Sequence, residues 1–137
     1  MDQESDSAER FTVTIGLHED FIVAHAAGEL DYQTAEVLHI QVKPAWQTTQ
    51  SSTLVVDLSG VTFCDSMGVG ALVSLLTQSR EHGSNLILSN VPPLLERILM
   101  ITGLHTAFQM ESSVEQAIQT VQKLPRPERS EDARGSR

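Results

Sequence analysis

The stretch VVDLSGVTFCDSMGVGALVSLL, Val55 to Leu76, carries two hydrophobic periods in succession. Its first part, with STL before it, is a short β-branched run bounded by Ser and Gly, the composition of a buried strand. From Val69 the apolar residues recur as Val69, Leu72, Val73 and Leu76, the spacing of one helix face. Between the two lies the loop GVTFCDSMG, with Asp65 beside Ser66 where the helix must begin. Two readings meet there. Asp and Ser are preferred N-caps, because a side-chain oxygen accepts a hydrogen bond from a first-turn amide and contributes about 1 kcal/mol. Capping needs only one such side chain, however, and the helix opens MGVGA, whose glycines Gly68 and Gly70 each cost roughly 1 kcal/mol against alanine. Small residues at a helix start let another backbone or a phosphate approach closely, and the free amides and positive dipole end favour an anion. A hydroxyl held at that point is suited to accept a phosphoryl group.

Upstream, FTVTIGL alternates Phe11, Val13, Ile15 and Leu17 against Thr12, Thr14 and Gly16, the period of a half-buried strand. The polar break HED leads into the apolar FIVAHAAG, so residues 11 to 27 predict a hairpin. After GELD, Ala35, Leu38, Val42 and Trp46 recur at helical spacing, with Pro44 expected to kink that helix or end it early. Downstream, Gly83 is placed to close the second helix in the left-handed conformation, and NLILSNV predicts a strand. PPLLERILMITG predicts a helix with proline at its start, Leu94, Leu95, Ile98, Leu99 and Ile101 inward, and Gly103 at its end. TAFQM predicts a short strand. In SSVEQAIQTVQKL, Ser112 and Glu115 fit a capping box and Val114, Ala117, Ile118 and Val121 point inward. The class is α/β: a mixed sheet of about five strands, an opening antiparallel hairpin then parallel strands, with about four helices packed against it. In such sheets functional groups collect beyond the carboxyl ends of strands, which is where Ser66 lies.

Composition bounds the function. The 137 residues include 18 acidic and 9 basic side chains, a formal charge of −9, with no stripe of Lys and Arg to neutralise a phosphate backbone. Nucleic acid is therefore not an expected partner. No apolar run approaches the ~20 residues of a membrane span, and the start MDQESDSAER is the opposite of a secretory signal, so a cytoplasmic protein without membrane contact is expected. The lone Cys64 excludes an internal disulfide and a CxxC motif, and reads as a small core residue rather than a sensor. The histidines form no metal-binding pattern, and no metal or other cofactor is expected. Residues 1–10 and the tail 125–137, PRPERSEDARGSR, lack apolar periodicity and are expected to be disordered flanks of a domain spanning 11–124. The acidic surface and polar tails favour a monomer.

The central segment resembles that of the STAS domain as found in bacterial anti-sigma factor antagonists. There a strand ending in apolar-Asp-apolar is followed by Asp-Ser-x-Gly and an apolar helix; here those residues are Asp57, Asp65, Ser66 and Gly68. GELD, Gly28 to Asp31, resembles the family's turn after the second strand, and NLILSNVPPLLERILMITGLHTAF its later strand, loop, helix and last strand. The similarity runs in order through nearly the whole domain. What it implies is a protein-binding switch. The unphosphorylated antagonist binds an anti-sigma factor that is also a serine kinase, which releases the sigma factor. Phosphorylation of the loop serine, here Ser66, ends that binding, and a metal-dependent serine/threonine phosphatase restores it. ATP and magnesium belong to the kinase; this chain is its substrate and not an enzyme. The partner-binding residues so implied are Asp31, Asp65, Ser66, Met67 and Gly68. Asp31 stands between two roles, capping the first helix and helping to bind the kinase. Asp57 reads as satisfying backbone amides near the strand end. Met67 occupies a position where many antagonists carry Ser or Thr, which bears on the choice of kinase.

Rival readings lack their residues. A serine hydrolase would need GxSxG and a His beside a carboxylate, and a P-loop NTPase would need GxxxxGK[ST]; neither is present. A receiver domain would match VVDLSG, but IGLHED lies in a hairpin turn and NLILSNVPP lacks the late lysine. The alternative that stands is a STAS scaffold or sensor partner that binds proteins without being switched at Ser66.

Overall fold

Alternation of apolar residues along the strands places one set of side chains on each face of a sheet, and both faces are covered here. A computed structural model describes residues 10–48 and 53–123. The predicted flanking tails lie outside the described residues, apart from Arg10. The strands are β1 (Phe11–Leu17), β2 (Ile22–Leu30), β3 (Thr53–Cys64), β4 (Asn85–Ser89) and β5 (Gln109–Glu111). The helices are α1 (Ala35–Thr48), α2 (Ser66–Glu81), α3 (Pro93–Ile101) and α4 (Val114–Lys123), with a 3₁₀ turn at Leu104–Thr106. Strand order is β1-β2-β3-β4-β5. The first pair is antiparallel and the others are parallel, as the sequence predicts.

Because each parallel strand is added on the same side of its predecessor, right-handed crossovers stack α1, α2 and α3 on one face. There Ile22, Ala24, Leu54, Val56, Leu86 and Leu88 meet Leu38, Val42, Leu72, Leu75, Leu95 and Leu99 in the main core. The intervening residues Val23, Val55 and Ile87 face the other way and pack under Ala117 and Val121 of α4. The central strands are thus buried on both sides, which explains their continuous apolar runs. No helix among the described residues is long and apolar enough to cross a membrane.

Four local expectations are corrected. Helix α1 runs through Pro44 to Thr48 instead of ending early. The two residues after the proline, Ala45 and Trp46, are buried in the main core, and that packing outweighs the lost backbone bond. In α3, Leu95 and Leu99 are buried, but Leu94 and Ile101, predicted inward, are 52% and 76% exposed. With Leu95 and Leu99 fixing the inner face at i and i+4, positions 94 and 101 rotate to the outside. The cap of α4 is Ser113, whose Oγ accepts from the Gln116 amide at 3.1 Å, instead of Ser112. Finally, GVTFC is not a loop. β3 continues to Cys64, pairing Val61, Phe63 and Cys64 with Gly28, Glu29 and Leu30 across register shifts in β2. Gly83, in contrast, takes φ +69° just past α2, the predicted left-handed cap.

Arg10, assigned to the tail by sequence, belongs to the folded unit. Since Phe11 pairs with Gly28 in the hairpin, Arg10 comes opposite Glu29 and forms an ion pair with it at 2.7 Å. The same guanidinium reaches Asp31 and Gln33.

Candidate functional site

The extension of β3 decides the site's geometry. Leu30 and Cys64 are register partners at the carboxyl ends of neighbouring parallel strands, so Asp31 and Asp65 lead off side by side. The Asp65 amide then donates to the Leu30 carbonyl at 3.3 Å, tying the GELD turn to the start of α2. The two motifs picked out from sequence are joined through a single backbone group.

Asp65 alone caps α2. Its backbone is extended and its Oδ1 accepts from the Gly68 amide at 2.9 Å. Ser66 is therefore the first helical residue, exposed, and its hydroxyl makes no hydrogen bond among the described residues. The amides of Ser66 and Met67 are among those a helix start leaves without an intrahelical acceptor. Met67 is 57% exposed, and Phe63, which sequence reading left out of the site, is 45% exposed just before it. Its signal was available: an aromatic residue inside a predicted loop beside the candidate serine. Gly68 is buried against the Leu30 backbone. The close approach that its lack of a side chain allows is thus to this chain's own backbone, whereas Gly70 is exposed with nothing within 4 Å of a would-be Cβ.

The carboxylate Asp31 is largely consumed by its own turn. Its Oδ1 accepts from the Gln33 and Thr34 amides at 3.0 and 3.2 Å, and Thr34 Oγ1 bonds back to the Glu29 carbonyl at 2.6 Å. Burial pushes the Asp31 carboxyl up, but the Arg10 hydrogen bond, the Gln33 amide, the Arg10 charge and the Thr34 hydroxyl together hold it below the usual carboxylate value. Asp57 is likewise structural. Its Oδ1 accepts from the Ser59 amide and the Asn90 side chain, both at 3.0 Å, and its Oδ2 lies 2.7 Å from His25 Nδ1. Against the upward push of burial, the Ser59 and His25 hydrogen bonds lead the groups that lower its pKa, so the carboxyl sits below its usual range. An ionised carboxylate only accepts, which assigns the proton to His25 Nδ1. Asp57 thereby joins β2, β3 and the segment after β4. Cys64 is buried beneath Gly68, and burial, with the nearby Asp65 charge, pushes its thiol up to about 11.

A family model for the STAS domain matches residues 13–117 of this chain. The chain belongs to the STAS domain family. Among its relatives, the anti-sigma-B factor antagonist of Bacillus subtilis strain 168 is 30% identical over 107 residues, 78% of this chain and 96% of that protein. The crystal structure of an anti-sigma factor antagonist from Mycobacterium paratuberculosis superposes with a TM-score of 0.71 at 25% identity, covering 85% of this chain and 97% of that one. The Bacillus cell fate determinant SpoIIAA in its phosphorylated form superposes with a TM-score of 0.62 at 22% identity, covering 80% and 99%. In this STAS domain, then, Asp65, Ser66, Met67 and Gly68 share one helix start, and Asp31 stands at the end of the next strand with its charge matched by Arg10. Among the described residues no three His, Cys, Asp or Glu side chains are grouped to hold a metal ion.

Proposed function

We propose that this STAS domain is an anti-sigma factor antagonist whose Ser66 accepts phosphate from an anti-sigma factor with serine kinase activity. The observation that carries the reading is the division of labour at α2: Asp65 supplies the cap, and Ser66 stands exposed beside it with its hydroxyl unengaged. Relatives named as anti-sigma factor antagonists, and a structurally similar one known in a phosphorylated form, support the same role.

Electrostatics give the switch a mechanism. Phosphoserine adds about −1.5 to −2 charges at neutral pH. At a helix N-terminus this is favourable by about 0.3–1 kcal/mol, so the domain stays folded. In a desolvated contact the same charge lies next to Asp65, on a chain of net charge −9, and repels any partner shaped for the neutral hydroxyl. Asp31 contributes less to that repulsion than its place in the sequence suggests, because Arg10 neutralises it. The kinase brings ATP and magnesium, a metal-dependent phosphatase reverses the modification, and the contact surface comprises Asp65, Ser66, Met67 and Gly68 with the Asp31 turn beside them. The reaction takes place in the cytoplasm, and this chain acts in it as substrate and ligand and not as catalyst.

The test is intact mass before and after incubation with ATP, magnesium and a lysate of the source cells, for the wild type and Ser66→Ala in parallel. Addition of one phosphate to the wild type alone supports the switch. No addition, with phosphatases inhibited and a control substrate labelled, refutes it and favours a STAS scaffold that binds partners without modification. The exposed Met67, which stands where a second hydroxyl is common in the antagonists this chain resembles, bears on the choice of kinase more than on the switch itself.

A further inference from the structure

β4 pairs with β3 only as far as Asp57, whereas β3 runs on to Cys64 beside β2. The start of α3 comes up against that extension where a strand would otherwise lie. Val61, Phe63 and Cys64 on the strand face Pro92, Leu94 and Leu95 across a shallow groove. Its free space is about 20 Å³, little more than one water needs, so it receives the tip of a side chain and not a small-molecule ligand. No charged side chain lines it.

The groove adjoins the candidate site, because the chain passes from Phe63 through Cys64 and Asp65 directly to Ser66. Eight large apolar side chains are exposed among the described residues, and four of them, Tyr32, Phe63, Met67 and Leu94, belong to this groove, the Ser66 helix start or the Asp31 turn. Exposed apolar groups gathered in this way mark a contact surface.

Sheet register gives that surface an acidic border. Phe63 is paired with Glu29, and Glu29 holds Arg10 in an ion pair, so the chain before Arg10 joins the fold two strands from Phe63, about 10 Å at the usual strand spacing. That chain, MDQESDSAE, carries Asp2, Glu4, Asp6 and Glu9 and no Lys or Arg. Nine residues can extend up to about 30 Å, more than the distance to the groove. Arg10 itself is occupied by Glu29 and Asp31, and on α3 the neighbours Glu96 and Arg97 offset each other.

We propose that this groove anchors the anti-sigma factor: an apolar side chain of that partner inserts its tip between Phe63 and Leu94, and Lys and Arg residues beside it meet the acidic segment before Arg10. The identity of the partner rests on the function proposed above. A seated apolar anchor concentrates the binding energy, and the opposite charges at the border speed encounter. The partner's bases lie across β2 from Ser66, so the surface opposite the hydroxyl stays neutral and a phosphate there remains unmatched.

The full chain, immobilised without ATP, is exposed to a lysate of the source cells, and retained proteins are identified by mass and titrated for affinity. An anti-sigma factor with a serine kinase domain is expected on the wild type and on Ile40→Ser, which removes an exposed apolar residue of α1. Phe63→Ser and Leu94→Ser each weaken its retention by about tenfold or more. Both side chains are exposed, so both variants should keep the native circular dichroism spectrum. The combined variant Asp2→Asn, Glu4→Gln, Asp6→Asn and Glu9→Gln weakens retention several-fold at low salt and little at high salt. Retention unchanged in the groove variants, retention at low salt unchanged in the amide variant, or a wild type that holds only further copies of this chain or no anti-sigma factor, overturns the proposal. Phosphate addition at Ser66, measured separately, keeps the two readings apart. Groove-dependent retention without phosphate leaves the anchor and removes the switch, whereas phosphate on Ser66 with retention indifferent to the groove does the reverse.

Discussion

The carbonyl group of Leu30 occupies the space that any side chain on Gly68 would need. A Cβ there would lie within contact distance of its oxygen, 3.0 Å from its carbon and 2.8 Å from Cys64 Sγ. Leu30 cannot move aside cheaply, because it is paired with Cys64 in the sheet and accepts the Asp65 amide. The glycine of the Asp-Ser-x-Gly motif is thus required for the two candidate segments to meet.

Gly68→Ala should lower stability by about 1–3 kcal/mol, the usual cost of overpacking. Gly70→Ala is the control, since nothing lies within 4 Å of its would-be Cβ. It should gain up to about 1 kcal/mol from better helix propensity. Urea unfolding of both variants checks the pair, and a Gly68→Ala protein as stable as the wild type would contradict the packing argument. If the open surface at Gly70 serves a partner, the same Gly70→Ala protein binds more weakly despite its firmer fold.

Ser66→Asp should retain the native circular dichroism spectrum while losing affinity for the anti-sigma kinase by about tenfold or more, the equivalent of roughly 1.4 kcal/mol. Ser66→Ala should bind constitutively. Calorimetric titration measures both; equal affinity for Ser66→Asp and the wild type would sink the electrostatic account.

The acid limb of stability should depend on Asp57 and Asp31. Both carboxyls are held below the ordinary value of 3.8 when folded. A group depressed in this way contributes stability that is fully present above its unfolded pKa and is lost as pH falls through the folded value. Stability should therefore be flat in this contribution near neutrality and decline below about pH 3.8. Asp57→Asn, which weakens the bridge to His25 and Ser59, should cost about 1–3 kcal/mol at neutral pH and flatten the acid decline. Urea unfolding between acid and neutral pH reads both effects; a variant with the wild-type pH profile would remove Asp57 from the account.

Cys64 should resist alkylation in the native protein at pH 8, because its thiol is buried and its pKa is pushed up to about 11. The thiolate is the reactive form. Iodoacetamide labelling followed by mass should be slow in buffer and fast in urea, and rapid native labelling would mean that the β3–α2 junction opens.

Much of the fold was legible because its signals are local. The alternation in FTVTIGL, the apolar run of LVVDL, the helical spacing from Val69 and the glycine at 83 each act over a few residues. The errors fall where packing across the sheet overrules such signals. Trp46 carries α1 past Pro44, and Leu95 with Leu99 turns Leu94 and Ile101 outward. Pairing with Gly28, Glu29 and Leu30 draws GVTFC into β3.

The site divides in the same way. By itself the sequence determined that an acid and a hydroxyl stand together at a helix start, since adjacency in the chain guarantees it. Only the tertiary structure decided which of them does the capping, because the bond from Asp65 to the Gly68 amide depends on the path by which β3 enters α2. It also decided that Asp31 is matched by Arg10, a partner 21 residues away, and that the Leu30 carbonyl joins the two motifs. Those relationships are set by the register of β1 on β2 and of β2 on β3, which long-range burial of both sheet faces selects and no short window of sequence contains.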